Sequence, residues 1–226
     1  RMTPPRYAAV PVVISVGLGL LIVYKLVVLE WPVWRLFGEA MMLAYYGYLL
    51  PLSQTGGLPT MMPALGSGTN AQPFVTVGDY ENWLERLDGF VVFLDQAIVN
   101  MRDGVAKGVV QPRPVMEKVL SQLDALIVAK AEESLFYGPV AKFPDTVPAA
   151  ERERLTVAYR TAIDGKVMPA YRRVRDYVRD DYLPKARTTV AWTALPDGKA
   201  WYAHVVKGHT TTEMTPDEIH ALGLSE

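Results

Sequence analysis

The stretch TVGDYENWLERLDGFVVFLDQAIVNM, Thr76–Met101, decides the fold class of this chain. Thr76 followed by Asp79 resembles a capping box with aspartate in place of glutamate, which marks a helix start. The large apolar residues then recur at steps of three and four, the spacing of one helix face, at Trp83, Leu87, Phe90, Leu94, Ile98 and Met101. The stretch therefore predicts a long amphipathic helix that ends near Gly104 and lines a helical core.

Two more helices are expected after it. The segment QPRP, Gln111–Pro114, predicts a second helix start, and the apolar face of this helix comprises Val115, Val119, Leu123, Leu126 and Ile127. A third helix is expected from Ala149 to Asp180 with a kink at Pro169, and its inward residues are Leu155, Ala158, Ala162, Val174 and Val178. The alternating charges of Tyr171–Asp181 indicate a solvent-exposed face.

The pattern changes after Pro184. The runs TTVAWTAL and KAWYAHVV are rich in β-prone residues and flank the turn sequence Pro196–Gly198, which together predict a β-hairpin. In the second strand, Ala200–Val206, the side chains of Tyr202 and His204 are expected on one face. The expected fold class is mainly α, a helical domain with a small β-hairpin near the C-terminus, preceded by one or two transmembrane helices.

The C-terminal segment contains a further helix start. Thr215 suits the N-cap, Pro216 the first helical position, and Glu218 completes a capping box. Only a turn or two remains before Glu226, so we expect the domain to be incomplete at its C-terminus.

The N-terminal segment is expected to anchor the protein in a membrane. Ala8–Leu29 is apolar except for Lys25, is long enough to cross a bilayer, and has no cleavage site after it. A second apolar stretch, Val33–Leu52, contains Arg35 and Glu39 and suits either a returning span or a soluble helix. One span places the rest outside the cytoplasm at a bacterial inner membrane, and two spans place it in the cytoplasm.

The composition of the chain indicates its domain boundaries and excludes several classes of function. Residues 1–52 are expected to form the membrane-anchoring segments, 53–73 a linker rich in Gly, Pro, Ser and Thr, and 74–226 the helical domain. A net charge of -1 argues against nucleic-acid binding. The absence of cysteine excludes disulfides, thiol catalysis and cysteine-ligated metals.

No complete catalytic or metal motif is present in the sequence. His204, His209 and His220 do not have the spacing of a His-Glu-x-x-His zinc site, and no phosphate loop or nucleophile elbow occurs. We therefore expect no cofactor or metal in this chain. The candidates for a catalytic role are Tyr202, His204 and His209.

Four blocks of the sequence resemble a known bacterial family, domain of unknown function 885. They are QPFVTVGDYENWLERL (Gln72–Leu87), GVAKGVVQPRPVMEKV (Gly104–Val119), KVMPAYRRVRDYVRDDYLPKAR (Lys166–Arg187) and LPDGKAWYAHVVKGHTTTEMTPDEIHALGL (Leu195–Leu224). The resemblance extends from about Leu49 to the C-terminus. It implies a longer, largely helical and often exported protein that is similar to zinc metallopeptidases, with a His-Glu zinc motif downstream of these blocks.

Two functions are compatible with these observations. In the first, the chain is the N-terminal, cleft-forming part of a membrane-anchored, metallopeptidase-like hydrolase of peptide-like substrates, with zinc in the full-length protein. The strand Ala200–Val206 would then lie beside the cleft, with Tyr202 and His204 toward the substrate and His209 next to them. In the second, the chain is a non-enzymatic, membrane-anchored helical module that binds a peptide or protein partner. The oligomeric state stays open.

Overall fold

The computed structural model describes residues 47–226, which are mainly helical. Their α-helices are α1 Leu58–Gly66, α2 Val77–Ala106, α3 Arg113–Leu126, α4 Gly138–Ala141, α5 Ala149–Ala162, α6 Met168–Tyr177, α7 Gly198–Thr210 and α8 Pro216–Ser225. Short 3-10 turns lie at Ala131–Glu133, Leu135–Tyr137, Leu183–Lys185 and Trp192–Ala194. An isolated bridge joins Pro112 to Arg187, and this part of the chain contains no β-strand.

Helix α2 confirms the sequence prediction at its start and along its face. Asp79 accepts a hydrogen bond from the backbone N–H of Thr76 at 2.7 Å, and the Thr76 hydroxyl accepts one from the Asp79 N–H at 3.3 Å. The N–H of Thr76 is the main reason why the pKa of Asp79 lies below its usual range. All six residues of the predicted apolar face are buried: Trp83, Leu87, Phe90, Leu94, Ile98 and Met101.

Helices α5 and α6 belong to one long helical rod that contains two π segments. The first, Ile163–Val167, joins α5 to α6, and the second, Val178–Tyr182, follows α6. Each π segment ends two residues before a proline, Pro169 or Pro184. Because proline lacks an N–H and its ring collides with the carbonyl four residues back, a wider turn before it avoids the collision. The irregularity expected at Pro169 therefore takes the form of a π segment.

Helix α2 runs parallel to this rod, and ion pairs line their edge. The pairs join Glu81 to Arg154 at 2.7 Å, Asp88 to Lys166 at 2.6 Å and Asp95 to Arg173 at 2.8 Å. These side chains are about half exposed, so water screens each pair and its contribution to stability is small. The three ion pairs occur in the same order along both helices, as expected for parallel helices. The buried residues supply most of the stability.

Helix α3 runs in the opposite direction along α6. Near its start, the N–H of Arg113 donates to the Arg187 carbonyl at 2.8 Å, and near its end Asp124 pairs with Arg175 at 3.1 Å. The buried residues of α3 are Met116, Val119 and Leu123, of which Val119 and Leu123 were predicted. Helix α3 thus covers one side of the rod, and α2 covers another.

Four buried tyrosines join the helices to other segments through their hydroxyls. The Tyr80 hydroxyl donates to the Pro139 carbonyl at 3.2 Å, Tyr159 to the Tyr80 carbonyl at 3.1 Å and Tyr171 to the Pro59 carbonyl at 2.5 Å. The Tyr182 hydroxyl instead accepts from the Gln111 N–H at 2.8 Å. Each tyrosine ring packs in the core, and its hydroxyl forms a hydrogen bond with a backbone group.

The segment predicted as a linker contains α1, which packs on the core. Pro59, Met62 and Gly66 of α1 are buried. A Cβ atom at Gly66 would lie 2.5 Å from the Trp83 ring and 2.9 Å from Phe136, so only glycine permits this approach.

The predicted β-hairpin is wrong. Residues Ala200–Val206, expected as its second strand, lie within α7, and Trp192–Ala194 of the first run forms a 3-10 turn. For the membrane spans, none of the helices in residues 47–226 is long and apolar enough to cross a bilayer. The predicted anchor Ala8–Leu29 and most of Val33–Leu52 lie outside the described residues.

The buried tyrosines predict a loss of stability at alkaline pH. Burial raises the pKa of Tyr182 to about 12 and also raises the pKa values of Tyr159 and Tyr171. In the unfolded chain a tyrosine ionises near pH 10. The stabilising contribution is therefore complete below pH 10 and is lost as the pH rises toward the folded-state pKa, by about 1.4 kcal/mol per pH unit for each such tyrosine.

Denaturant titrations between pH 9 and pH 11.5 measure this slope. Tyr171→Phe removes one buried phenol and should make the slope shallower. Tyr202→Phe removes a phenol that is in contact with water, and it serves as the matched control that leaves the slope unchanged. An unfolding free energy that stays constant over this range would contradict the expectation.

Candidate functional site

The region that contains the sequence-predicted candidates begins with a tight turn before α7. The Gly198 N–H donates to the Leu195 carbonyl at 2.9 Å, which closes the turn that Pro196–Gly198 predicted. Asp197 adopts the left-handed conformation, with φ 53°. Gly198 lies directly against the backbone carbonyl of Trp192, where a Cβ atom would collide. The turn prediction is confirmed, although both segments that it joins are helical.

Two tryptophans attach α7 to the segment before it. The Trp192 and Trp201 rings meet edge to face, with centroids 4.3 Å apart. Trp201 and Leu195 are buried, whereas Trp192 stays 41% exposed. This aromatic contact holds the first turn of α7, and the rest of the helix extends into a more exposed region.

Helix α7 also explains why the strand prediction failed. Trp201 and Val205 are four residues apart and occupy one helix face, and Ala200 and Ala203 favour a helix. The segment KAWYAHVV is short, and its aromatic and β-branched residues suit a strand as well as a helix. The contact with Trp192 and the turn at Gly198 select the helix.

The change from strand to helix separates two of the candidates. Tyr202 and His204 would share a face in a strand, but two residues along a helix correspond to a rotation of about 200°. Tyr202 is 42% exposed, and His204 is half-buried on the other side of α7. The expectation that these two side chains share one face is therefore wrong. Tyr202 and His209, seven residues apart, share a face instead.

His209 is exposed near the end of α7. Its Nδ1 lies 2.9 Å from the Val205 carbonyl oxygen, which is only an acceptor, so this nitrogen donates. His209 therefore presents its second ring nitrogen, Nε2, and Tyr202 presents a hydroxyl, on one side of the helix.

The histidines do not assemble a metal site. His220 lies on α8 and is exposed, while His204 and His209 lie on different faces of α7. Within residues 47–226, no three His, Asp or Glu side chains come close enough to hold a metal ion. These three histidines do not fit the zinc site that the family resemblance implies for the longer protein.

Arg187 positions the segment that leads into α7, and the sequence analysis missed it. Its Nε donates to the Val110 carbonyl at 3.0 Å, and its Nη1 donates to the carbonyls of Thr189 and Ala191 at 2.6 and 2.8 Å. Burial lowers the pKa of this guanidinium. These contacts are non-local or depend on the loop geometry, so no spacing in the sequence points to them.

One cavity among the described residues is too small for a typical small-molecule ligand. A cavity bounded by Pro63, Leu126 and Phe136 has a volume of about 50 Å³. Pockets for small-molecule ligands usually measure about 300–1,000 Å³. This cavity has room for a few water molecules at most.

The most distinctive property of the α7–α8 region is its exposed apolar side chains. Helix α8 contains no buried residue of its own, although its capping box is complete, as predicted. The exposed large apolar residues of this region are Val190, Trp192, Tyr202, Met214, Leu222 and Leu224. This arrangement suits contact with another polypeptide, and Tyr202 and His209 add hydrogen-bonding groups at one side.

Comparisons with known proteins assign a family and a fold. A family model described as "Bacterial protein of unknown function (DUF885)" matches residues 33–226. A similar solved structure is the crystal structure of "the putative lipoprotein from Colwellia psychrerythraea", with a TM-score of 0.71 and 21% sequence identity. The match covers 78% of this chain and 30% of that one, so this chain spans less than a third of its length. No curated protein matches the chain.

Two glycines of α7 provide a matched test of its attachment. Gly198→Ala should lower the free energy of unfolding by about 1–3 kcal/mol, because its Cβ collides with the Trp192 carbonyl and forces the turn apart. Gly208→Ala, in the same helix with open space around it, should instead stabilise the helix by up to about 1 kcal/mol.

Urea unfolding followed by circular dichroism and by tryptophan fluorescence measures both effects. Fluorescence should also change in Gly198→Ala before unfolding, since the Trp192–Trp201 contact is part of the strained turn. Equal stabilities for the two variants would argue against this packing of α7.

Proposed function

Because the chain belongs to the DUF885 family of bacterial proteins, we propose that it forms the N-terminal, cleft-forming part of a metallopeptidase-like hydrolase. The substrate class is peptide-like. The metal ligands and the catalytic carboxylate belong to polypeptide outside residues 47–226. In this proposal the described helices form one rigid side of the substrate cleft and do not contain the reacting groups.

The observation that carries the proposal is the coverage of the longer relative. A chain with the same fold is more than three times as long as the part that this chain matches. The family match covers residues 33–226 and so includes all of the described helices.

Helix α7 is the part of this side that suits contact with a substrate. Tyr202 offers an exposed hydroxyl, and His209 offers a ring nitrogen, Nε2, on the same face. Both groups bind peptide N–H or C=O groups through ordinary hydrogen bonds. His204 lies on the opposite face, so in this proposal it serves the packing of α7.

For the location, we propose association with a membrane or a site outside the cytoplasm. The support is the description of the similar solved structure as a "putative lipoprotein". A peptide hydrolase at such a location meets exported or imported peptides.

A second candidate function is a non-enzymatic helical module that binds a peptide or protein partner. The exposed aromatic residues Trp192 and Tyr202 favour it, because such side chains are enriched at binding surfaces. In this case the partner contacts α7 directly and no metal is required.

Metal analysis of the complete protein encoded by the gene distinguishes the two functions. The hydrolase proposal expects about one zinc ion per chain, cleavage of fluorogenic peptides, and loss of cleavage after treatment with 1,10-phenanthroline, restored by added zinc. A metal-free protein that cleaves no peptide but retains a partner peptide would favour the binding module.

Kinetics of a second set of variants test the role of α7. If Tyr202 binds the substrate in the ground state, Tyr202→Phe should raise KM by up to about tenfold with little change in kcat, as expected for one lost hydrogen bond. His204→Gln is the matched control on the opposite face and should leave KM unchanged. If Tyr202→Phe and His209→Ala both keep the parent kcat/KM, α7 does not line the cleft.

A further inference from the structure

We propose that Arg187 binds the carboxylate of a peptide-like ligand through its Nη2 group, beside the segment that leads into α7. The class of ligand rests on the proposed function, since a peptide carries carboxylates at its C-terminus and on acidic side chains. The site itself requires neither zinc nor a catalytic role for this chain. It gives the described helices a charged anchor for the ligand in addition to the hydroxyl of Tyr202.

The hydrogen bonds of Arg187 leave one side of its guanidinium free. Three of the N–H groups donate to backbone carbonyls: Nε to Val110 at 3.0 Å, and Nη1 to Thr189 at 2.6 Å and to Ala191 at 2.8 Å. Neither N–H group of Nη2 has an acceptor among residues 47–226. The side chain is partly exposed, and Nη2 is not one of the buried side-chain atoms that lack a partner. A ligand therefore reaches Nη2 from the solvent.

The positive charge of Arg187 has no carboxylate partner in the described part of the chain. Its three acceptors are neutral carbonyls, whereas Arg154, Arg160 and Arg173 each contact a carboxylate on another segment at 2.7–2.8 Å. Burial lowers the pKa of Arg187, and the neighbouring Tyr182 opposes this effect. Since a charge taken out of water without a counterion is costly, an anion bound at Nη2 is favoured.

The guanidinium is held in place before any ligand binds. The Arg187 N–H donates to the Gln111 carbonyl at 3.2 Å, and the Arg187 carbonyl accepts from the Arg113 N–H at 2.8 Å, so its backbone is fixed to the segment that begins α3. The three side-chain bonds then fix the plane of the guanidinium. Binding a ligand immobilises little additional protein, which lowers the entropic cost of association.

The charge and the donors suit a carboxylate better than other polar groups. A carboxylate carries a single negative charge and balances one guanidinium, whereas the carbonyl of a neutral amide leaves the charge of Arg187 uncompensated. Phosphate sites usually combine several backbone N–H groups or a cluster of arginines. Nη2 offers two N–H groups on one nitrogen, which is enough for a carboxylate oxygen.

Arg187 lies next to the start of α7. Its bond to the Ala191 carbonyl holds the residue directly before Trp192, whose ring contacts Trp201 in the first turn of this helix. In the proposed function, α7 is the helix that contacts the substrate. A peptide whose carboxylate is bound at Nη2 is therefore close to that helix.

Peptides that differ in one carboxylate test the proposal on the complete protein encoded by the gene. The probes are acetyl-Ala-Ala-Ala with a free C-terminus, acetyl-Ala-Glu-Ala amide and, as the neutral reference, acetyl-Ala-Gln-Ala amide. At least one charged peptide should bind about tenfold more tightly than the neutral one, as expected for one charge-assisted hydrogen bond. Which of the two does so identifies the source of the carboxylate. Calorimetry with 1,10-phenanthroline present measures binding while any zinc-dependent cleavage is blocked.

Two variants and one structure locate the effect. Arg187→Gln, which removes the charge, should reduce the preference for the charged peptide to less than about twofold. Arg152→Gln is the matched control, because Arg152 also bonds to backbone carbonyls, those of Val147 and Pro144, and it should keep the full preference. Melting temperatures verify that both variants are folded. A crystal structure of the unsubstituted protein with the preferred peptide should place a carboxylate oxygen about 3 Å from Nη2.

Three outcomes would overturn the Arg187 proposal. They are equal affinities for the charged and neutral peptides, a preference that survives in Arg187→Gln, and an Asp or Glu of the complete protein that is already bound to Nη2. Zinc content and peptide cleavage, measured on the same sample without the chelator, test the proposed function separately. A carboxylate preference without zinc or cleavage rejects the hydrolase and leaves the Arg187 site, whereas cleavage without such a preference rejects the site alone.

Discussion

A phenol hydroxyl buried in an apolar core needs a hydrogen-bond partner, and this requirement organises the domain. Tyr159 of the long rod donates to the backbone carbonyl of Tyr80, and the Tyr80 hydroxyl donates in turn to the carbonyl of Pro139 in α4. Tyr171 reaches Pro59, which places α1 on the core. If any of these segments shifts by one residue, a buried polar atom loses its partner at a cost of about 1–3 kcal/mol. The apolar face of α2 drives association of the helices, and the tyrosines determine how they are aligned.

The same constraint divides the molecule into a well-packed part and an open part. The network of tyrosine bonds ends at Tyr182, which accepts from the N–H of Gln111. Beyond it, Arg187 fixes the following loop through backbone carbonyls, and the Trp192–Trp201 contact fixes the first turn of α7. The exposed length of α7 and all of α8 therefore depend on contacts other than the tyrosine network. Helices α7 and α8 extend from the tightly packed helices, and this position leaves them accessible to another polypeptide.

The sequence predicted those features that depend on local spacing. Six apolar residues at helical steps and the Thr76–Asp79 pair located α2, Thr215 with Glu218 located the start of α8, and the block resemblance identified the family. It did not predict α7, because KAWYAHVV suits a short strand and a short helix alike, and the deciding contact is with Trp192. The tyrosine bonds and the Arg187 contacts join residues far apart in the chain, so no local pattern indicates them. Tyr202 and His204 were expected on one face because the side chains of a strand repeat every two residues. In the helix that actually forms, residues two apart lie on different faces.

The two π segments of the long rod have a consequence for how this domain changes during evolution. A π turn contains one more residue than the α turn it replaces, so it is equivalent to a single-residue insertion retained inside a helix. Each insertion rotates everything after it by about 100° relative to an uninterrupted α-helix. Tyr171 and Val174 lie after the first segment, and Tyr182 lies at the end of the second, yet all three face the core. In a relative that lacks one residue near Gly165, the core-facing positions after the deletion would be shifted by one residue in the sequence. An alignment of the two helices without gaps would then pair the wrong side chains over half of the rod.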